Sequence, residues 1–146
     1  MYSSLFKEWL DRAEEDRRSA HHSFCAGFYR GACFFAQQSI EKLFKAILIR
    51  RNIYAPIHSL VKLELIEKEY SVKIIDSIVR RADLERLSAH YILSRYAPPP
   101  HGTPDRAVWE RYVKRYRIHR YDKNVVEEAI EVMENIWKGV RKLGLI

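Results

Sequence analysis

The chain has few of the residues that form turns, loops and cross-links. Its 146 residues include only five glycines, five prolines and two cysteines. Leucine, isoleucine, glutamate, arginine and lysine are common instead, and this composition favours helix over sheet. The length is sufficient to bury a hydrophobic core, so we expect one helical domain over residues 1–146.

Motifs for phosphate loops, metals and disulfides are also missing. The sequence has no glycine-rich phosphate-binding loop and no cysteine-rich or His-Glu metal motif, so we expect no metal and no cofactor. Cys25 and Cys33 lie eight residues apart, in or beside one predicted helix. A continuous helix would separate their Cα atoms by about 12 Å, which is too far for a disulfide. We expect both thiols to be reduced.

No long hydrophobic segment is present. The N-terminus becomes charged at once, which argues against a signal peptide, and no uncharged run approaches the ~18 residues of a membrane span. We therefore expect a cytoplasmic protein that does not enter a membrane. The formal net charge of +7 points to an anionic partner such as RNA or a nucleotide, although charge of this size can also serve solubility alone.

What the sequence does contain is helical periodicity. Apolar residues at spacings of three and four predict helices over about 5–22, 26–51 and 59–70. A fourth helix is predicted after Ser71, and an Asn124…Glu127 pair resembles a capping box at the start of the last helix. We expect an all-α, antiparallel four-helix up-and-down bundle, with an extra short helix and a proline-rich loop before the last helix.

The second predicted helix carries a narrow polar stripe. Gln37, Glu41 and Lys45 fall four residues apart on one line, and Glu41 precedes Lys45 in the favourable order for a helical ion pair. On an otherwise apolar helix, we expect such a stripe to face water, a partner subunit or a ligand. The functional hypothesis is a nucleotide pocket or a dimer groove, and the alternative is a solvated stripe with an ion pair.

The same helix resembles a known family. The segment FFAQQSIEKLFKA, residues 34–46, looks like the second helix of the HEPN family, the higher eukaryotes and prokaryotes nucleotide-binding proteins. Residues 9–20 resemble the family's first helix, and HSLVKL at 58–63 resembles the start of its third. YILSRYAP at 91–98 resembles its Tyr…Arg-Tyr-Pro segment, with one departure, because Ala97 stands where the pattern has proline.

The resemblance implies a nucleotide- or RNA-binding protein that forms a homodimer. Small HEPN proteins often accompany a minimal nucleotidyltransferase in toxin–antitoxin-like systems, so such a partner protein is implied as well. The resemblance also implies an alternative, a metal-independent endoribonuclease, because catalytic members use an arginine to steady the phosphate and a histidine to move a proton. A helical interaction subunit without a ligand is the third hypothesis.

The candidate catalytic pair is Arg95 and His101. Catalytic members place four to six residues between the arginine and the histidine, and five residues separate this pair. Two other pairs fit the same spacing, Arg17 with His22 and Arg51 with His58. Arg95 is favoured because it lies in the segment that resembles the family. Three prolines intervene, however, and an extended run would hold Arg95 and His101 nearly 19 Å apart unless a turn or a second subunit brought them together.

A basic aromatic segment follows residues 97–104, which we expect to form an extended loop. Between residues 105 and 121, cations alternate with Trp109, Tyr112 and Tyr116, a composition that suits RNA phosphates and bases. The alternative is that the rings pack on the bundle and the cations are solvated, whether the segment is helix or ordered loop. The predicted nucleotide- or RNA-binding residues are Gln37, Glu41, Lys45, Arg95, Tyr96, Arg111, Lys114, Arg115 and Arg117.

Overall fold

The computed structural model describes residues 3–63 and 77–146. The secondary structure of these residues is helical without strands, which confirms the predicted all-α class. Their five helices, numbered in chain order, are α1 Ser3–Cys25, α2 Tyr29–Ile49, α3 Arg81–Leu93, α4 Pro104–Tyr116 and α5 Lys123–Lys142. Residues 60–63 are also helical. The predicted helix end near Tyr70 and the helix start after Ser71 lie outside the described residues.

Helix α2 forms the centre of the fold. It packs against α1 along much of its length and also contacts α3 and α5. Apolar residues spaced three and four apart in its sequence predict an inward face, and four of them, Ala36, Ile40, Leu43 and Phe44, are fully buried. A short turn at residues 26–28 joins α1 to α2, and Gly27 supplies the left-handed conformation of that turn with a φ of +80°. The two helices therefore pair as a hairpin of neighbours in sequence.

Ser39 ties α2 to both of its outer neighbours. Its hydroxyl donates to the backbone carbonyl of Ala13 in α1 over 2.8 Å and accepts from the indole N–H of Trp137 in α5 over 2.9 Å. Ser39 and Trp137 are both buried, so each polar group needs this partner. One small side chain thereby sets the spacing of three helices.

Helix α5 has the inward stripe that its periodicity predicts. Val126, Ala129, Met133 and Trp137 are all buried against the core. The predicted start of the helix is wrong, however. Asp122, and not Asn124, is the N-cap, and its side chain accepts from the backbone N–H of Val125 over 3.0 Å. Asparagine and aspartate both suit the N-cap position, so the local sequence offered two starts two residues apart.

The sequence left open whether residues 105–121 form a helix or an ordered loop. Helix α4 covers this segment up to Tyr116, and residues 117–121 are not helical. Thr103 caps α4 by accepting from the backbone N–H of Arg106, and Pro104 occupies the first turn, where its missing N–H costs nothing. The proline-rich loop therefore precedes α4 and not the last helix, which corrects the predicted order. Helix α4 packs on α3 through a small cluster separate from the main core, built on Ala89, Leu93 and Ile118.

The two cysteines lie on different helices that follow one another in the chain. Cys25 is the last residue of α1 and is exposed, whereas Cys33 is buried in α2. Both are free thiols. Burial raises the pKa of Cys33 to about 12, so this thiol stays protonated and behaves as a packing residue.

A buried histidine joins α3 to the segment before α5. The His90 ring is 2% exposed, and its Nδ1 lies 2.9 Å from the hydroxyl of Tyr121. Burial, reinforced by the positive charge of Arg86, lowers the pKa of His90 from 6.5 to about 3. The imidazole is therefore neutral in the folded protein throughout the physiological range.

This histidine should make the fold sensitive to mild acid. The unfolded chain protonates His90 near its ordinary pKa whereas the folded chain does not, so stability is full above pH 6.5 and is lost as the pH falls towards 3. We expect the free energy of unfolding to fall by about 1.5 kcal/mol between pH 6.5 and 5 from this residue alone. Urea unfolding of the wild type and of His90→Gln at several pH values measures how the free energy of unfolding changes with pH in each protein. The same pH dependence in the two proteins would contradict this assignment.

Candidate functional site

The polar stripe of α2 lies inside the protein. Gln37, Glu41 and Lys45 are 0%, 3% and 6% exposed, so the alternative of a solvated stripe is wrong, and the nucleotide pocket and the dimer groove stay predictions. Two parts of the chain cover it. The Lys45 ammonium lies 5.6 Å from the ring centre of Trp9 on α1, and the Gln37 amide donates to the backbone carbonyl of His58 over 3.1 Å.

Glu41 is the hub of this buried group. Its carboxylate accepts from Lys45 Nζ over 3.2 Å, the ion pair that the spacing predicts. The other oxygen lies 3.2 Å from Nδ1 of His58, 17 residues further along the chain. A buried carboxylate is tolerated only when it is paired in this way. The segment after α2 is thus held against α2 by a polar contact.

His58 leads from the buried carboxylate to the surface. Its side chain is 56% exposed, and its ring stacks on that of Tyr91 in α3 with a centroid distance of 4.6 Å and an interplanar angle of 9°. The Tyr91 hydroxyl in turn accepts from Arg95 Nη1 over 2.6 Å. A continuous series of contacts therefore runs from Glu41 through His58 and Tyr91 to Arg95.

The His58–Tyr91 pair forms one wall of an open cleft of about 400 Å³. Helix α4 forms the opposite wall with a second ring pair, Tyr112 and Tyr116, whose centroids lie 5.8 Å apart at an angle of 19°. Arg115 also lines the cleft. The cleft therefore presents two stacked ring pairs and a cation to solvent, and we call it the aromatic cleft.

The charge of the aromatic cleft is mixed but mainly positive at its outer edge. Glu85 on α3 lines the cleft and lies 3.8 Å from the guanidinium of Arg115, a loose pair that leaves Arg115 mostly exposed. Arg111 shares a neighbouring hollow with Arg115 and the two tyrosines. Lys114 and Arg117 are exposed nearby, and neither forms an ion pair with any residue that the structure describes.

The structure brings together only some of the predicted site residues. Arg115 lines the aromatic cleft, and Arg95 reaches it through Tyr91. Gln37, Glu41 and Lys45 lie behind His58 and support the cleft from within. Tyr96 is half exposed, and the Arg95 guanidinium lies 5.2 Å from its ring centre.

The side chains of Arg95 and His101 have separate surroundings. The Arg95 guanidinium is engaged by Tyr91 and Tyr96, while His101 lies in an exposed turn after the three prolines. No hydrogen bond links the two residues within the described part of the chain. The histidine next to Tyr91, the residue that Arg95 contacts, is His58.

Sequence reasoning missed the two rings that open the cleft, His58 and Tyr91. Both stand in segments that carry the family resemblance, and His58 also completes one of the Arg–His spacings. The sequence therefore marked both residues separately. Whether two rings 33 positions apart stack depends on how α3 packs against α2, which the sequence does not show. Among residues 3–63 and 77–146, no group of histidine, cysteine and acidic side chains could hold a metal ion, and no helix has the length and apolar character to cross a membrane.

Comparisons with known proteins identify the family of the chain. The family model described as HEPN domain matches residues 6–143, nearly the whole chain. The chain belongs to the HEPN family. The resemblance seen in its sequence is thereby confirmed.

Two relatives of this HEPN protein are informative. "Putative toxin MJ1304" of Methanocaldococcus jannaschii is 27% identical over 147 aligned residues, which cover 96% of this chain and 86% of that protein. The crystal structure of TT1696 from Thermus thermophilus superposes with a TM-score of 0.70 at 26% identity, covering 94% of this chain and 96% of the other. Both matches extend over nearly the whole chain and are not confined to its core helices.

Proposed function

We propose that this HEPN protein binds single-stranded RNA in the aromatic cleft. The observation that carries the proposal is that two ring stacks, His58–Tyr91 and Tyr112–Tyr116, line one cleft of about 400 Å³. Unpaired bases stack on aromatic side chains with energies of about 1–3 kcal/mol per base. The cations of α4 supply the attraction for the phosphates.

The form of the cleft favours a single strand over a duplex. Duplex RNA is recognised mainly through its backbone and 2′-hydroxyls, which a wall of rings does not serve. Splayed bases, by contrast, expose their faces to such rings. The net charge of +7 and the exposed cations Arg111 and Arg115, which line the cleft or the hollow next to it, fit a path for the strand's backbone.

RNA binding should depend on one ring and one cation of α4. We expect Tyr112→Leu and Arg115→Gln each to weaken binding of a labelled single-stranded RNA at least about fivefold, since each removes a contact worth about 1 kcal/mol or more. Fluorescence anisotropy at two salt concentrations measures both affinity and salt slope, and Arg115→Gln should also reduce the slope.

Arg18→Gln is the matched control, because Arg18 is an exposed cation on α1 and does not line the aromatic cleft. It should bind RNA nearly as the wild type does. Wild-type affinity in both cleft variants would remove the basis of the proposal. A similar loss of RNA affinity in Arg18→Gln would show that RNA binds through the overall positive charge and not at a defined site.

A second candidate function is metal-independent cleavage of the bound RNA. The observation that favours it is the contact of Nδ1 of exposed His58 with buried Glu41, which fixes the ring as a general base requires. Glu41 would also stabilise the protonated imidazole that forms when His58 takes a proton from a 2′-hydroxyl. Arg95, bonded to Tyr91 beside it, would hold the phosphate.

The two possible histidines can be separated in one assay. Purified protein is incubated with mixed RNA in EDTA, and we expect cleavage to fall about 100-fold or more in His58→Ala and Arg95→Ala but to persist in His101→Ala. If His101→Ala loses RNA cleavage and His58→Ala keeps it, the result would instead support Arg95 and His101, the pair predicted from spacing. A wild type that binds RNA and leaves it intact would reject cleavage and leave RNA binding in place.

We also propose a toxin-like role, supported by the similarity to "Putative toxin MJ1304" of Methanocaldococcus jannaschii. A homodimer and a minimal nucleotidyltransferase partner belong to the same proposal, as the family resemblance implies.

Induced expression in a bacterial host should slow growth, and Tyr112→Leu should relieve the effect because the RNA contact is lost. Co-expression of a minimal nucleotidyltransferase, the partner class that the resemblance implies, should restore growth. Normal growth of cells with abundant soluble wild type would contradict this role.

A further inference from the structure

The aromatic cleft contains an acidic side chain. Glu85 lies on α3, and among the described residues that line the cleft it is the only carboxylate. Its side chain is 26% exposed, so a ligand in the cleft can reach it. A negative charge repels RNA phosphates and weakens a site that binds only the backbone of a strand. The position of Glu85 therefore needs another explanation.

The neighbours of Glu85 do not account for its position. Its carboxylate lies 3.6 Å from Nε of Arg81, one turn earlier on α3, and 3.8 Å from Nη2 of Arg115 on α4. Both distances exceed the length of a hydrogen bond, which is about 2.7–3.2 Å. Loose ion pairs between partly exposed side chains contribute little to the free energy of folding. These two arginines therefore leave both carboxylate oxygens able to accept hydrogen bonds from a ligand.

The ring stacks of the cleft contact only the faces of a base. Every base can stack on the pairs His58–Tyr91 and Tyr112–Tyr116, so stacking alone does not select a sequence. Proteins that recognise a sequence in single-stranded RNA also form hydrogen bonds with the edges of its bases. An ionised carboxylate is an acceptor only. Glu85 therefore favours a base whose edge presents donors.

Guanine has the edge that suits a carboxylate best. Its N1–H and its 2-amino group stand side by side, so they can donate one hydrogen bond to each carboxylate oxygen. In adenine and cytosine the amino group lies next to a ring nitrogen that is an acceptor, and in uracil the N3–H lies between two carbonyl groups. Each of these three bases would bring an acceptor close to the carboxylate, which is unfavourable.

We infer that Glu85 makes the aromatic cleft selective for guanosine in single-stranded RNA. Its carboxylate accepts from N1–H and from the 2-amino group of a guanine that is stacked on the rings. Arg115 lies 3.8 Å away, which places a cation for the phosphates beside the acceptor for the base. The inference rests on the proposed RNA binding and names the nucleoside that the cleft selects.

The first experiment measures the base preference of the wild type. Short oligouridines of equal length carry guanosine, inosine, adenosine, cytidine or uridine at one central position, and fluorescence anisotropy gives their affinities. We expect the guanosine RNA to bind at least about fivefold more tightly than the adenosine, cytidine and uridine RNAs, as a bidentate contact with a base provides. Inosine lacks only the 2-amino group of guanosine, so it should lose much of the preference. This comparison needs no variant of the protein.

The second experiment assigns the preference to Glu85. In Glu85→Gln the amide has one acceptor and one donor group, so the preference for guanosine should disappear. The affinity for the other RNAs should stay the same or rise, because a negative charge is removed. Asp83→Asn is the matched control, since Asp83 lies on the same helix, is 28% exposed and does not line the cleft. It removes the same charge and should keep the preference.

Three results would overturn the inference. The wild type could bind all the RNAs equally, Glu85→Gln could retain the preference for guanosine, or Asp83→Asn could lose it to the same extent as Glu85→Gln. Equal binding of all the RNAs leaves the proposed RNA binding in place and removes only the role of Glu85. A wild type that binds none of them contradicts the proposed RNA binding itself, and the inference falls with it.

Discussion

The buried carboxylate of Glu41 is the constraint on which the rest of the site depends. A charged group in the middle of α2 is unfavourable unless partners surround it, and a single helix can supply only Lys45 and Gln37. The remaining contact comes from His58, which obliges the segment after α2 to fold back onto the helix. The polar stripe is therefore a structural element that holds a surface ring in place.

That arrangement connects the core to the surface in a defined order. Because Nδ1 of His58 is held by Glu41, the ring presents one face to Tyr91. Tyr91 in turn orients Arg95 through its hydroxyl. A side chain on the surface gains direction from a charge in the interior, which is how supporting contacts position a functional group.

Helix α4 meets the bundle under a different constraint. It has no fully buried residue of its own and is attached through the small cluster on Ala89, Leu93 and Ile118. Its rings anchor it in part, while Arg111, Lys114 and Arg115 are exposed to solvent. One helix can therefore pack against α3 and still present cations and ring faces to solvent, so the two alternative interpretations of the basic aromatic segment are compatible.

Periodicity in the sequence determined the all-α class, the inward faces of α2 and α5 and the Glu41–Lys45 pair, because these depend on residues within one or two helical turns. Membership of the HEPN family was indicated by the resemblance of short motifs, and the family model confirms it. The cap of α5 was misplaced by two residues because Asp122 and Asn124 are both suitable caps. Only the tertiary structure decided that the polar stripe is buried, that His58 and not His101 stands beside the ring that binds Arg95, and that rings of α3 and α4 line one cleft. These features join residues far apart in the chain, and whether their side chains meet depends on how the helices return to one another, which local spacing does not specify.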